Sequence, residues 1–410
     1  MTKCAVAPSI LLPKNIDMHK WAIVACDQFT SQPAYWQALD KLVGNSPSML
    51  RLIFPEVYLT KDNNARIRSI KQAMAQYMEQ DLFQTYNDTM VLVEREVTGG
   101  KKRKGLVLAV DLEQYDWRRV RRAIRATEDT IMERLPVRVE IRKAAQIESP
   151  HILLLIDDKE GKVIEPLYDN RDKLDKLYDF DLNMGGGHII GYKVADTQPI
   201  LDALEALGKP EIQKEKYGFD AGIVFAVGDG NHSLATAKMY WQAVSAGLTA
   251  EERLGHPARY ALVEVVNIYD EALDFRPIHR VVFNGVAGLI EGLKRAIEPG
   301  EGKLELLDKK GASYIPCSCS PALVIKQVQD YLESIACADM EIDYVHGSNH
   351  LAEVVAEKGG LGIKMPIFDK SELFNYILHI GNLPKKAFSI GSAESKKYYV
   401  ECKKIVKDRI

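Results

Sequence analysis

The sequence predicts an α+β protein in which mixed sheets carry packed helices. Three observations point there. Apolar stretches of strand length recur, most clearly at residues 152–156, 221–227 and 260–268. Amphipathic stretches of helix length lie between them. The two kinds of element do not alternate with the strict βαβ rhythm of a doubly wound sheet. No internal repeat or low-complexity linker interrupts the 410 residues. The chain therefore reads as one unit, 1–410, and its length suggests two lobes, 1–205 and 206–410, around a cleft.

The elements follow in order. Residues 21–27 read as a strand running into the polar loop Asp27–Pro33. Pro33 opens a helix to Leu42, because its fixed φ and missing N–H suit a first helical turn. Residues 65–80 have helical periodicity. Residues 90–97 and 104–110 form a hairpin joined through Gly99 and Gly100, with Lys101–Lys104 as a solvated turn. Residues 116–134 allow an arginine-rich helix that Pro136 stops. The run at 152–156 is a central strand, with 162–168 beside it. A charged helix over 173–178 and the turn Gly185–Gly187 lead into a strand at 189–194, then a capped helix at 197–207. The buried strand 221–227 passes through the loop 228–233 into a helix over 234–244. After strand 260–268 and the stretch 275–282 come helices near 286–296 and 321–336, a short helix after Ser371 and a last strand over 397–402.

The 54 Lys+Arg against 57 Asp+Glu give a formal net charge of −3, without the basic excess a nucleic-acid binder usually needs. Nucleic acid is therefore not expected as a partner, and any basic site must be local. Six cysteines are sparse, and Cys317-Ser-Cys319 lacks the two-residue gap of zinc or thioredoxin motifs. Pro8 and Pro13 break the N-terminal apolar run, and no run approaches the ~20 residues of a membrane helix. A reduced, cytoplasmic location without membrane attachment is the expectation. P-loop, dinucleotide and nucleophile-elbow patterns are all missing, so any phosphate chemistry lies outside those motifs.

The sharpest chemical signal is Gly228-Asp-Gly-Asn-His-Ser233 at the end of a strand and the mouth of a helix. Gly228 and Gly230 give the backbone freedom around Asp229. Asn231, His232 and Ser233 stand where a helix presents unpaired N–H groups and the positive end of its dipole, with Ser233 as the N-cap, a setting that suits phosphate. Asp229 can accept a proton from a hydroxyl or hold a cation. An ordinary Gly- and Asp-rich turn has the same composition. A second signal is Arg125-Ala-Thr-Glu-Asp-Thr130 with Arg134 and Arg138, where guanidinium forks could hold phosphate and Glu128 a metal; a salt-laced surface helix is the plainer alternative. A third is Pro277-Ile-His279-Arg280 ahead of a strand.

Taken in order, these pieces resemble the bacterial family catalogued as domain of unknown function 1015. Its signature usually reads Asp-Gly-His-His-Arg at a helix start. Also similar are the Arg-x-Thr-Glu-Asp-Thr block, Pro277–Arg280, His346-Gly347 and Leu383-Pro-Lys-Lys386. Two positions depart: Asn231 stands for a histidine, and Ser233 for an arginine. The missing cation then implies a differently charged donor, or supply by Arg280 or Arg125. The loop also resembles that of free-serine kinases of the ParB/sulfiredoxin fold, which implies core elements of that kind. The family resemblance implies a kinase that phosphorylates L-serine to O-phospho-L-serine from inorganic pyrophosphate, with Mg²⁺. In that reading Asp229 and His232 are catalytic. Gly230, Asn231, Ser233, Arg125, His279 and Arg280 bind phosphate, and Asp27 and Glu128 serve substrate or metal. The alternatives are a kinase using ATP or ADP, one acting on another small hydroxyl substrate, and a nucleotide-binding regulatory protein of ParB-like type.

Overall fold

The computed structural model describes residues 3–60, 62–118, 120–130, 132, 135–392 and 395–407. Two compact units emerge. The first runs to Leu273 and takes up the segment from Ser392 onward; the second is Asp274–Gly391. The division expected between 205 and 206 falls inside the first unit. Strands on both sides of it, His188–Val194 and Phe225–Asp229, belong to one sheet.

Among the described residues that sheet has ten strands. Its order is Lys176–Asp181, His188–Val194, Met90–Val97, Lys101–Asp111, Tyr260–Asn267, Ile152–Ile156, Phe225–Asp229, Ile124–Arg125 and Tyr115–Asp116, with Ala5–Val6 added against Lys101–Asp111. Pairing is antiparallel as far as Tyr260–Asn267, which runs parallel to Ile152–Ile156. Ile152–Ile156 is in turn antiparallel to Phe225–Asp229. Both faces are covered. Met90, Leu92, Leu106 and Leu108 enter one apolar core with residues of helices Gln198–Leu207 and Asn231–Ser245. Val91, Val93 and Val107 enter another with helices Pro33–Val43 and Asn64–Glu79. A sheet buried on both sides explains strands that read as unbroken apolar runs rather than alternating ones.

In the second unit the strand order is Gly311–Cys317, Gly302–Asp308, Leu361–Lys364, Phe275–Phe283 and Glu341–His346. Phe388–Ile390 adds to the start of Phe275–Phe283. Helices Leu289–Ala296, Pro321–Ser334 and Leu373–His379 fall where the sequence places them, and Ser348–Lys358 is a helix it did not announce.

Local expectations are revised where tertiary pairing outweighs composition. Over 116–134 the chain forms no long helix in its described part: Tyr115–Asp116 and Ile124–Arg125 are edge strands. The helix comes later, Leu135–Ala144, with Pro136 in its first turn, where a missing N–H is no loss. Arg118 pairs with Asp116 at 2.6 Å, Arg121 with Asp220 at 2.5 Å, and Arg138 with Glu56. Three of these arginines are thus used in ion pairs; Arg119 and Arg134 lie outside the described residues. Residues 162–168 contribute to the short helix Glu165–Asp169 rather than a strand. The charged stretch near 173–178 supplies the strand Lys176–Asp181. Lys101–Lys104 begins the long strand Lys101–Asp111 rather than forming a turn.

Candidate active site

Strand pairing builds the site. Leu153 lies opposite Asp229, and a register shift between Leu153 and Leu154 passes over Gly228, a bulge of the kind that re-aims a strand end. Because the two strands are antiparallel, His151, just before one, comes beside Asp229 and Gly230, at the end of the other. Gly230 has φ +86°. A Cβ there would stand 3.1 Å from Ile152 Cα and 3.3 Å from His151 Cδ2, so glycine allows both the turn and the close approach. The positive φ makes Gly230 the N-cap and starts the helix at Asn231, three residues before the expected start. Ser233 is therefore inside the first turn and not the cap. Leu234 N–H donates to Gly230 O at 3.0 Å, the first bond of the helix. The amides of Asn231, His232 and Ser233 thus precede the ladder, at the positive end of a 15-residue helix.

The segment that returns to the first unit completes the arrangement. Tyr398–Tyr399 pairs antiparallel with Ile23–Val24, and Ala25 N–H donates to Lys397 O at 2.8 Å, which aligns Cys26 and Asp27 with Lys396–Tyr399. Lys396 Nζ donates to Asp229 Oδ2 at 2.8 Å, and the Gly230 N–H donates to Asp229 Oδ1 at 2.9 Å. Burial pushes the Asp229 carboxyl up, but Lys396, His151 and the Gly230 amide hold it below its ordinary value, so it is ionised at neutral pH. His151 Nδ1 lies 2.5 Å from the Tyr399 hydroxyl, and its Nε2 lies 3.7 Å from Asp27 Oδ2. Burial opposes charge on this ring, yet Asp27, Cys26 and Asp229 push it up to about 10. Two anions, Asp27 and Asp229, are thus interleaved with two cations, His151 and Lys396, beside a helix N-terminus. Such a constellation can hold an anion and move protons next to it.

Of the residues singled out from the sequence, Asp229, Gly230, Asn231, His232, Ser233 and Asp27 share this neighbourhood. Asn231 is buried, its Nδ2 3.5 Å from Thr127 Oγ1, which donates to Val227 O at 2.6 Å. Half-buried Glu128 follows Thr127 in the chain. Arg125 is turned to backbone: it donates to Arg122 O at 3.1 Å and Ala221 O at 3.2 Å, carbonyls before the strand rather than at its loop end. His279 and Arg280 belong to the second unit and are engaged within it. His279 Nδ1 accepts from Met365 N–H at 3.1 Å, and burial, with Lys364 and Arg280, pushes the ring down to about 4. Arg280 is fully buried and donates to Gln329 Oε1 at 3.1 and 3.2 Å and to Ile278 O. Lys396 brings a cation to the loop through its ion pair with Asp229.

Sequence reasoning missed His151, Cys26, Lys396 and Tyr399. His151 had a signal: it precedes the most apolar strand, and antiparallel pairing of that strand with the next would set it against Asp229. The late residues had none. As for magnesium, no cluster of three or more His, Cys, Asp or Glu side chains among the described residues could hold a metal ion. Each Asp229 oxygen accepts one hydrogen bond, from Lys396 or from the Gly230 amide.

Fold and site define an α+β protein with a strand–loop–helix turn at Gly230, where an ion pair meets a helix N-terminus. The chain belongs to the family described as Protein of unknown function (DUF1015), whose profile matches residues 11–334. No curated protein matches. Among solved structures the chain is similar to a free serine kinase in complex with AMP, with 12% identity, coverage of 73% of this chain and 92% of that chain, and TM-score 0.40. It is also similar to a conserved hypothetical protein from Pyrococcus furiosus at 14% identity, covering 69% and 90%, TM-score 0.36. A third is SbnI with C-terminal truncation from Staphylococcus aureus, at 11% identity, covering 74% and 84%, TM-score 0.36. Among the described residues no helix is long and apolar enough to cross a membrane.

Proposed function

We propose that the protein is a phosphotransferase that moves a phosphoryl group from inorganic pyrophosphate to the hydroxyl of L-serine. One observation carries the reading: the Asp229–Lys396 ion pair lies at the N-terminus of helix Asn231–Ser245, where three amides precede the first helical hydrogen bond. Phosphoryl transfer needs positioning and charge stabilisation more than covalent chemistry, and this site offers both. The amides of Asn231–Ser233 and the Lys396 ammonium take the phosphoryl oxygens. Asp229, ionised, accepts the serine proton as the oxygen–phosphorus bond forms. His232, on the first turn, lies beside the transferred group. Serine and pyrophosphate come from the family resemblance; the loop geometry supports the reaction class.

The test is ³¹P NMR of the purified protein with L-serine and Mg²⁺, supplying pyrophosphate, ATP or ADP in separate tubes. Phosphoserine with pyrophosphate alone is the expected result. Signal only with a nucleotide would keep the transferase and replace the donor. Silence in all three tubes would overturn the serine kinase reading.

A further inference from the structure

We propose that His151 is a catalytic residue of this transfer, giving its Nε2 proton to the departing oxygen of the phosphate donor, and that Tyr399 is the positioning residue that holds it ready. The inference rests on the transferase reading above.

The argument starts from the Tyr399 hydroxyl, which has one proton and two lone pairs. It accepts from Cys26 N–H at 3.0 Å, lies 3.3 Å from Cys26 Sγ and lies 2.5 Å from His151 Nδ1. Burial, then Cys26 and Asp27, hold the phenol well above its ordinary pKa, so its proton stays. With that proton given to Cys26 Sγ, the second lone pair takes a hydrogen from His151 Nδ1 and the hydroxyl is fully satisfied. The alternative, a bare Nδ1 accepting from the hydroxyl, requires a neutral ring. Asp27 and Asp229 oppose it: both favour the cation, whose nitrogens each carry hydrogen. The ring is therefore an imidazolium pinned at Nδ1.

Its other proton is not committed to Asp27, because 3.7 Å exceeds hydrogen-bond length. The side chain retains 18% of its surface exposed. Every element packed on the ring has a stated part. The loop after Ile23–Val24 brings Cys26 and Asp27, and the returning segment brings Tyr399. The strand end brings Asp229, with Lys396 behind it, and Gly230 leaves one edge of the ring uncovered by any side chain of its own.

The protons and bonds balance. The serine oxygen attacks phosphorus, the new oxygen–phosphorus bond forms, and the bond from that phosphorus to the bridging oxygen breaks. The serine proton passes to Asp229, and the Nε2 proton passes to the bridging oxygen, which leaves as part of orthophosphate. Transfer of the Asp229 proton back to His151 restores the site with no net gain or loss.

Two measurements on the full chain test this. In the first, histidine-ring ¹⁵N NMR is followed over pH, with His151 assigned by its loss in His151→Gln. Both nitrogens should carry hydrogen at pH 7.5, and Tyr399→Phe, which removes the Nδ1 acceptor, should lower the midpoint. A wild-type ring titrating like an ordinary histidine, or a bare Nδ1, would overturn the positioning role. In the second, the ³¹P assay is run on both variants. His151→Gln should lower kcat about 10²-fold or more with little change in the serine KM. Tyr399→Phe should lower kcat less and bring the alkaline limb of its pH profile to lower pH. Wild-type kcat in His151→Gln would overturn the catalytic role while the transferase reading stands. An inactive wild type overturns both.

Discussion

At the scale of single residues, Asp229 combines two tasks that usually fall to different groups. Its carboxylate is held ionised by Lys396 and the Gly230 amide, and it fixes Lys396 against the helix mouth. Asp229→Asn removes the charge and leaves the shape. Turnover in the ³¹P assay should fall by about 10²–10⁴-fold while the far-UV circular dichroism spectrum stays unchanged. Activity near that of the wild type would rule Asp229 out as proton acceptor. This residue was legible in the sequence because glycines flank it between a clear strand and a clear helix. Lys396 was not, because an ion pair across 167 residues leaves no local pattern.

At the scale of elements, the strand–loop–helix Phe225–Ser245 depends on one backbone conformation. Gly230→Ala would place a methyl 3.1 Å from Ile152 Cα at φ +86°. Left-handed φ alone costs about 1–2 kcal/mol in a residue with a side chain. The loop should shift away from His151, and kcat should fall more than tenfold with a modest loss of stability in urea unfolding. Strands and helices with strong apolar periodicity were readable, as at Ile152–Ile156 and Pro321–Ser334. The arginine-rich stretch misled because charge content says little about an edge strand. Ile124–Arg125 forms by pairing with Phe225–Ala226, a partner about a hundred residues away. Pro136 misled for a different reason: proline ends a helix only when it lies inside one, and here it lies at the start.

At the scale of the whole molecule, the returning segment is bound to the first unit by charge as well as by backbone pairing. Lys397 meets Glu264 at 2.7 Å and Arg103 meets it at 3.3 Å, with all three side chains buried. Burial alone would push the Glu264 carboxyl up, yet Lys397, Arg103 and Arg95 hold it down to about 2. A depressed folded value means the stabilisation is complete above the unfolded carboxyl pKa, about 4.3, and disappears as pH falls toward 2. Glu264→Gln should therefore destabilise the protein by about 3–5 kcal/mol at pH 7 in urea unfolding, since two cations stay buried without their partner. The gap to wild type should narrow as pH falls from 4.5 toward 2; a constant gap would mean the pair is unimportant. A chain ending at Gly391 would lose Lys396, Lys397 and Tyr399 together and should give no cooperative thermal transition for the first unit. The family profile matches residues 11–334, and those three side chains follow the matched span.

The order of the segments also has a consequence for synthesis. A ribosome releases the loop at Asp229 first, then all of Asp274–Gly391, and only afterwards Lys396 and Tyr399. Translation thus separates the making of the loop from the arrival of its ion-pair and hydrogen-bond partners. A growing chain holds a helix mouth without its ammonium and an imidazole without its phenol until the second unit has been translated.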